Sequence, residues 1–316
     1  MKSPCPPLDF QGLKTYSIQD RKSLVSKDDF ASPWKPGASL SDFLETLPAI
    51  LAGKDIRAVI QAIARAAGDQ CQVCFAMGGH VIKTGMNPLI IDLMEKKVIT
   101  MISMNGSGII HDLEIAYTGR TSEDVAGSLT DGSFGMARET SDLLNQAIEN
   151  SARDSLGLGR AVGRMILSEN LPHKNLSLTA TGARLNIPVT VHVAIGTDIL
   201  HMHPDFDAGA CGRASLQDFR TFAAQISCLE KGVFINAGSA VILPEVFLKA
   251  ITLVRNLGHT LSDFTTINLD FIRQYRPMTN VVLRPTLGKG RGYALVGHHE
   301  ILIPLIFAGV IEALSK

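Results

Sequence analysis

The sequence predicts an α/β fold: a parallel β-sheet with helices covering both faces. Three observations carry this reading. Short, almost continuously apolar runs alternate along the chain with longer runs of helical periodicity, as strands buried on both faces and their crossover helices do. Small-residue turns close several apolar runs: Met77-Gly-Gly-His80, Asn105-Gly-Ser-Gly108, Gly196-Thr-Asp198 and Asn236-Ala-Gly-Ser239. In open α/β sheets that carboxyl edge is where ligands sit. Finally, 316 residues that are 46% hydrophobic and 19% charged suffice to bury a substantial core.

Residues 1–40 hold several prolines and little periodicity, and read as an arm ahead of one α/β domain over 41–316. From Leu40 to Ala67, Phe43, Leu44, Leu47, Ile50 and Leu51 recur at helical spacing behind Ser41, a candidate cap. Cys71–Ala76 is the first predicted strand, with a helix near 86–96 and the next strand at Val98–Met104. Asp112-Leu-Glu-Ile-Ala116 opens a helix, and 122–151 reads as another. Further strands are predicted at Val189–Gly196, Gly232–Ala237, Thr265–Leu269 and Tyr293–Val296, separated by helices near 214–228 and 244–257 and closed by one at 300–315.

Thirty basic residues balance thirty acidic ones, with no block of like charge. That argues against a nucleic-acid binder relying on a broad basic surface. The longest apolar run, Ile301–Leu314, is broken by Pro304, Gly309 and Glu312 and is too short to span a bilayer. The first residues, Met-Lys-Ser-Pro-Cys-Pro-Pro, lack the apolar centre of a signal peptide. Five scattered cysteines suggest reduced thiols in a cytoplasm. Cys71-Gln-Val-Cys74 has redox-motif spacing, but lies within a predicted strand and reads better as buried strand residues.

The most informative stretch is Met104-Asn-Gly-Ser-Gly-Ile-Ile-His-Asp-Leu113. A strand that ends in a glycine-broken turn at a helix start lets backbone N–H groups approach an anion, although the strict dinucleotide glycine spacing is absent. The stretch resembles a Thr-Thr-Ala-Gly-Gly-Val-Glu-Glu-Asp-Leu segment of the deoxyhypusine synthase family. Further phrases follow in family order: Gly78-Gly-His-Val-Ile-Lys-Thr-Gly85, Pro188–Asp198, Phe234-Ile-Asn-Ala-Gly-Ser239, Ile267-Asn268 and Glu300-Ile-Leu-Ile-Pro-Leu305. The resemblance covers about residues 68–315. It implies a Rossmann-like sheet, a homotetramer with sites between subunits, and NAD as cofactor. The implied reaction moves an alkyl or aminoalkyl group from a donor amine to an acceptor amine, with a protein acceptor left open, through an imine on an enzyme lysine.

Three departures argue against spermidine as the donor. The position of the family's lysine falls on Pro285, and that of a family histidine on Leu243. The acidic loop that grips a polycation has shrunk to Ile272-Arg-Gln-Tyr275. With Arg273 and Arg276 in place of acids, the pattern favours a neutral or anionic ligand. Lys289, in Leu287-Gly-Lys-Gly-Arg-Gly292, lies four residues past the expected lysine and is the candidate nucleophile, the alternative being a solvated loop lysine.

Six of nine histidines fall near the proposed ligand edge: His80, His111, His201, His203, His298 and His299. His111 and His203 join Lys289 as catalytic candidates, since imidazole titrates near neutrality. The resemblance assigns His80, Asn105, Gly106, Ser107, Asp198, Gly238, His298 and His299 to the cofactor. His201 and His203 alternate in a way that also suits zinc or another transition metal. The leading expectation is therefore an NAD-dependent transferase acting on a small-molecule amine. The rival is a histidine- or metal-based enzyme, or a non-catalytic ligand-binding homologue, on the same scaffold.

Overall fold

The computed structural model describes residues 5–315; the first four residues of the predicted arm and Lys316 lie outside them. Six parallel strands form one sheet in the order β3-β2-β1-β4-β5-β6. They are β1 (Val73–Met77), β2 (Met101–Asn105), β3 (Val189–His192), β4 (Val233–Ala237), β5 (Thr265–Asp270) and β6 (Arg291–Val296). The order reverses between β1 and β4, so the chain winds outward in both directions from that pair and leaves a crevice above it.

The predicted first helix is two. α1 (Leu40–Thr46) is capped by Ser39, and α2 (Leu51–Gly68) restarts after Pro48 through Leu51, whose φ is 47°. The described residues of the rest of the arm hold only short 3-10 turns at Ile18–Asp20 and Lys27–Asp29 and leave Leu8, Phe10, Leu13, Tyr16 and Leu24 exposed. Beyond β1 come α3 (His80–Lys83) and α4 (Asn87–Glu95); α5 (Gly106–Thr118) follows β2. The predicted helix at 122–151 is divided into α6 (Val125–Ser128) and α7 (Arg138–Asp154), because Gly132 and Gly135 adopt positive φ between them. Two helices lie before β3 where none was predicted: α8 (Leu158–Ser168) and α9 (Leu178–Leu185). Then come α10 (Ala208–Ser227), α11 (Ile242–Asn256), the single turn α12 (Tyr275–Pro277), a π-helical stretch over Met278–Leu283, and α13 (His299–Leu314).

Side-chain alternation along β1 explains the layering. Val73, Phe75 and Met77 enter the larger core with α2, α4, α5, α8 and α13; Cys74 and Ala76 enter the other, where Phe234 stacks on Phe247. Cys71 packs against the larger core, on the side opposite Cys74. Burial pushes the Cys74 thiol up to about 12, with Cys228 adding to the effect, so this spacing does not build a reactive pair.

Border strand β3 is satisfied on its outer side by helix side chains. Asp218 of α10 accepts the Val191 N–H at 2.9 Å and the Gly159 N–H at 3.0 Å. Ser215, one turn earlier, accepts from Val193 and donates to the Val191 carbonyl. Among the described residues no helix is long and apolar enough to cross a membrane.

Candidate functional site

The turns after β1, β2 and β4 and the segment after β3 meet at the carboxyl edge of the sheet. Gly78 has no side chain because a Cβ there would overlap the carbonyl oxygen of Gly238. Gly238 itself has φ 66°, and a Cβ on it would lie 2.6 Å from His299 Cε1. The backbones of the two turns therefore touch at the reversal point. His80, exposed at the start of α3, sets its ring 5.8 Å from that of buried His299. His299 Nε2 donates to the Leu269 carbonyl at 3.1 Å. A Cβ on Gly79 would lie 2.7 Å from Ser107 Oγ and 2.9 Å from His111 Cδ2, which brings α3 and α5 together at the same place.

Asn105 ends β2 and caps α5: its Oδ1 accepts from the Gly108 N–H at 3.2 Å and from the Ser107 hydroxyl at 3.0 Å. Gly106 follows, and the Asp198 carboxylate lies against it so closely that a Cβ would overlap Oδ2. A negative group at a helix N-terminus is favoured by the helix dipole. Burial nevertheless pushes the Asp198 carboxyl above its ordinary range, opposed by His201 and Thr197. The helix is locked in rotation by Asp112. This wholly buried carboxylate accepts from the Ser177 and Thr179 hydroxyls and the Leu178 and Thr179 N–H groups at 2.6–3.1 Å. With Asp112 turned inward, its neighbour His111 faces the crevice.

His111 belongs to a three-membered chain. Its Nδ1 lies 2.7 Å from Thr121 Oγ1, and the Thr121 hydroxyl donates to Glu114 Oε2 at 2.5 Å. A hydroxyl has one proton, which here goes to the carboxylate. Nδ1 must then be the donor to Thr121, and Nε2 is left as a lone pair in the neutral imidazole. Burial pushes the Glu114 carboxyl up, but contacts from His111, Thr121 and Thr140 outweigh it, so the group ends below its ordinary range. An ionised carboxylate orienting an imidazole through a hydroxyl equips His111 as a general base.

A cavity of about 230 Å³ opens beside this chain, lined by Lys83, Ser107, His111, Glu114, Glu123 and Asp198 among others. Three carboxylates against one ammonium favour a cationic ligand, which corrects the neutral or anionic preference read from Arg273 and Arg276. Arg276 is instead drawn to Glu245, 3.4 Å away.

The structure thus brings His80, Asn105, Gly106, Ser107, His111, Asp198, Gly238 and His299 to one edge. His298 sits there too but is exposed, 3.8 Å from Glu300. Lys289 is a correction. Standing just before β6, it lines a depression at the opposite edge with Lys231 and Asp263 and lies outside this chain's own crevice. His203 is also apart: its Nε2 donates to the Gly135 carbonyl at 2.9 Å. His201 Nδ1 accepts the N–H groups of Gly196 and Asp198. The two histidines are committed to separate loop contacts, and no group of three metal-ligating side chains occurs among the described residues. Lys83, Glu114 and Thr121 were missed by sequence reasoning. Glu114 was signalled by its i+3 spacing from His111; Thr121, beyond the Gly119 turn, was not.

Fold and crevice define a doubly wound, Rossmann-like α/β architecture. No protein-family model and no curated protein matches the chain. Solved structures share the fold at low identity. The ternary complex of AgrE with ornithine and NAD+ superposes with a TM-score of 0.53 at 13% identity, over 85% of this chain and 35% of that one. The arginine dihydrolase ArgZ of the cyanobacterial ornithine-ammonia cycle gives 0.51 at 14%, over 83% and 33%. A proposed deoxyhypusine synthase from Entamoeba histolytica gives 0.52 at 13%, over 89% of this chain and 96% of its own. The chain spans about a third of the length of AgrE and ArgZ.

Proposed function

We propose that this protein is an NAD-dependent transferase of the deoxyhypusine synthase-like kind, moving an alkyl or aminoalkyl group between small amines in the crevice at the carboxyl edge. The observation that carries the reading is the Glu114–Thr121–His111 chain facing an acidic cavity. The residues present fit a dinucleotide, which would meet the α5 N-terminus at Gly106 and Ser107, with His80 and His299 beside it. Gly78, Gly79 and Gly238 serve to pack the turns that hold these groups together. NAD would supply the hydride acceptor and return the hydride later. Asp198, beside Gly106, suits a ribose hydroxyl or the substrate's ammonium group.

His111 Nε2 takes the proton that a donor ammonium must lose before its carbon can give up hydride. Glu114 stabilises the imidazolium formed, through Thr121. The acceptor amine then adds to the resulting imine carbon and the donor nitrogen leaves, taking its proton back from His111. With Pro285 at the family's lysine position, and Lys289 on the other edge, this exchange runs directly between substrate amines. Five unpaired cysteines accord with a cytoplasmic setting, and the apolar arm with a homo-oligomer, a tetramer in the family's pattern.

The test is calorimetric titration of NAD+ into the full-length protein, followed by addition of short diamines while the absorbance of reduced nicotinamide is recorded. Binding, and an absorbance rise lost in His111→Ala, are expected. A protein that binds no NAD+ refutes the cofactor reading. Amine turnover without NAD, still dependent on His111, would favour the histidine-based alternative that the same chain supports.

A further inference from the structure

The edge of the sheet opposite the crevice carries a depression of about 560 Å³ at the amino ends of β4, β5 and β6. Four cations from separate segments line it: Arg65 in the last turn of α2, Lys231 before β4, Lys289 before β6, and Arg291 at the start of β6. Only two carboxylates, Asp69 and Asp263, share the lining. Among the described residues none of the four cations has an ion pair within 4.0 Å or a side-chain hydrogen bond. Lys289 feels the field of Glu230, but the Glu230 oxygens accept the N–H groups of Ser262 and Asp263 at 2.7 and 3.2 Å.

Four like charges held around one hollow repel one another, and the excess of two is relieved when an anion enters. The end of α2 adds a partial negative charge here, which the four full charges exceed. A second observation points the same way. Lys289 lies in a glycine-rich loop in which the N–H groups of Gly288, Lys289 and Gly290 make no hydrogen bond among the described residues. Gly288 has φ 109° and open space around it. Successive free amides beside a lysine are the elements of a phosphate-binding turn.

We propose that this depression is a second ligand site, distinct from the crevice, and that it binds a small molecule bearing a di- or triphosphate group. Its volume lies within the range of small-ligand pockets, roughly 300–1,000 Å³. Arg65 and Arg291 supply planar forks for phosphate oxygens, while Lys231 and Lys289 supply point charges.

The experiment titrates pyrophosphate, ADP and sulfate separately into the full-length protein by calorimetry at matched ionic strength. Pyrophosphate and ADP are expected to bind at least tenfold more tightly than sulfate, with tighter binding of ADP showing that the ligand is a nucleotide. Lys231→Gln with Lys289→Gln should weaken both by at least tenfold and leave the melting temperature unchanged. Sulfate binding as tightly as pyrophosphate would mean general charge attraction and overturn the proposal. So would pyrophosphate affinity unchanged in the double variant. Should the double variant fold poorly, Lys289→Gln alone decides, because the wild-type comparison does not separate this depression from a diphosphate held in the crevice.

Discussion

Asp218 should make the fold sensitive to pH. Its carboxyl is buried between α10, the start of α8 and strand β3, and burial pushes it from an ordinary 3.8 up to about 7, against hydrogen bonds from Gly159, Val191 and Leu158 that pull it down. A carboxyl raised on folding favours the protonated folded state. Its contribution is therefore fully present below about pH 4 and is lost as pH rises through about 7. The shift corresponds to roughly 4 kcal/mol, at about 1.4 kcal/mol per pH unit. Asp218→Asn removes the titration. The amide keeps an oxygen for Val191 and Gly159 but turns its NH₂ toward the Leu158 N–H, a donor conflict costing about 1–3 kcal/mol at every pH. The absolute stabilities thus mix two effects, while the slope against pH isolates one. Urea unfolding between pH 4 and 8 should show the wild type losing several kcal/mol relative to the variant. Parallel curves would refute the reasoning, since they would mean that the carboxylate is as well stabilised by its three N–H donors inside as by water outside.

Thr121→Val cuts the chain between His111 and Glu114 and should lower turnover at least tenfold while altering the pH–rate profile; Thr121→Ser should restore both. Gly106→Ala forces a methyl against Asp198, so calorimetry should show NAD+ or amine affinity falling severalfold, with an overpacking cost of about 1–3 kcal/mol in denaturant melts. Deleting residues 1–39 removes the exposed Leu8, Phe10, Leu13, Tyr16 and Leu24, and light scattering should then report a smaller oligomer than the full chain forms.

The strands were legible because both faces of the sheet are buried. Val73–Met77 and Val233–Ala237 are apolar almost throughout, and their predicted positions shifted by two residues at most. α8 was hidden by its glycines, which weaken helical propensity yet are required by packing: a Cβ on Gly159 would overlap the Val189 carbonyl, and one on Gly163 that of Thr179. At the site, the small-residue turns pointed to the right edge because backbone contact demands glycine there. His111 was visible as a polar residue just past a strand end. Its partner Thr121 was not, because a left-handed turn at Gly119 folds the chain back after α5 ends. Lys289 misled because its role was carried over by counting from Pro285, whereas a residue just before a parallel strand stands at the amino edge of the sheet, opposite the crevice.

The side chains of Ser215 and Asp218 that occupy the outer side of β3 also bear on how copies of this chain can associate. A sheet grows by offering free amides and carbonyls to a newcomer, and at β3 a helix has already taken them. Strand addition is thereby closed at β3, while the other border, β6, carries no such side-chain hydrogen bonds among the described residues. An assembly built through β6 would end after two subunits, back to back, because each would present a closed border at its far side. A ring or tetramer must then use helical faces or the arm for its remaining contacts, and runaway sheet polymerisation is blocked by two hydrophilic side chains on one helix.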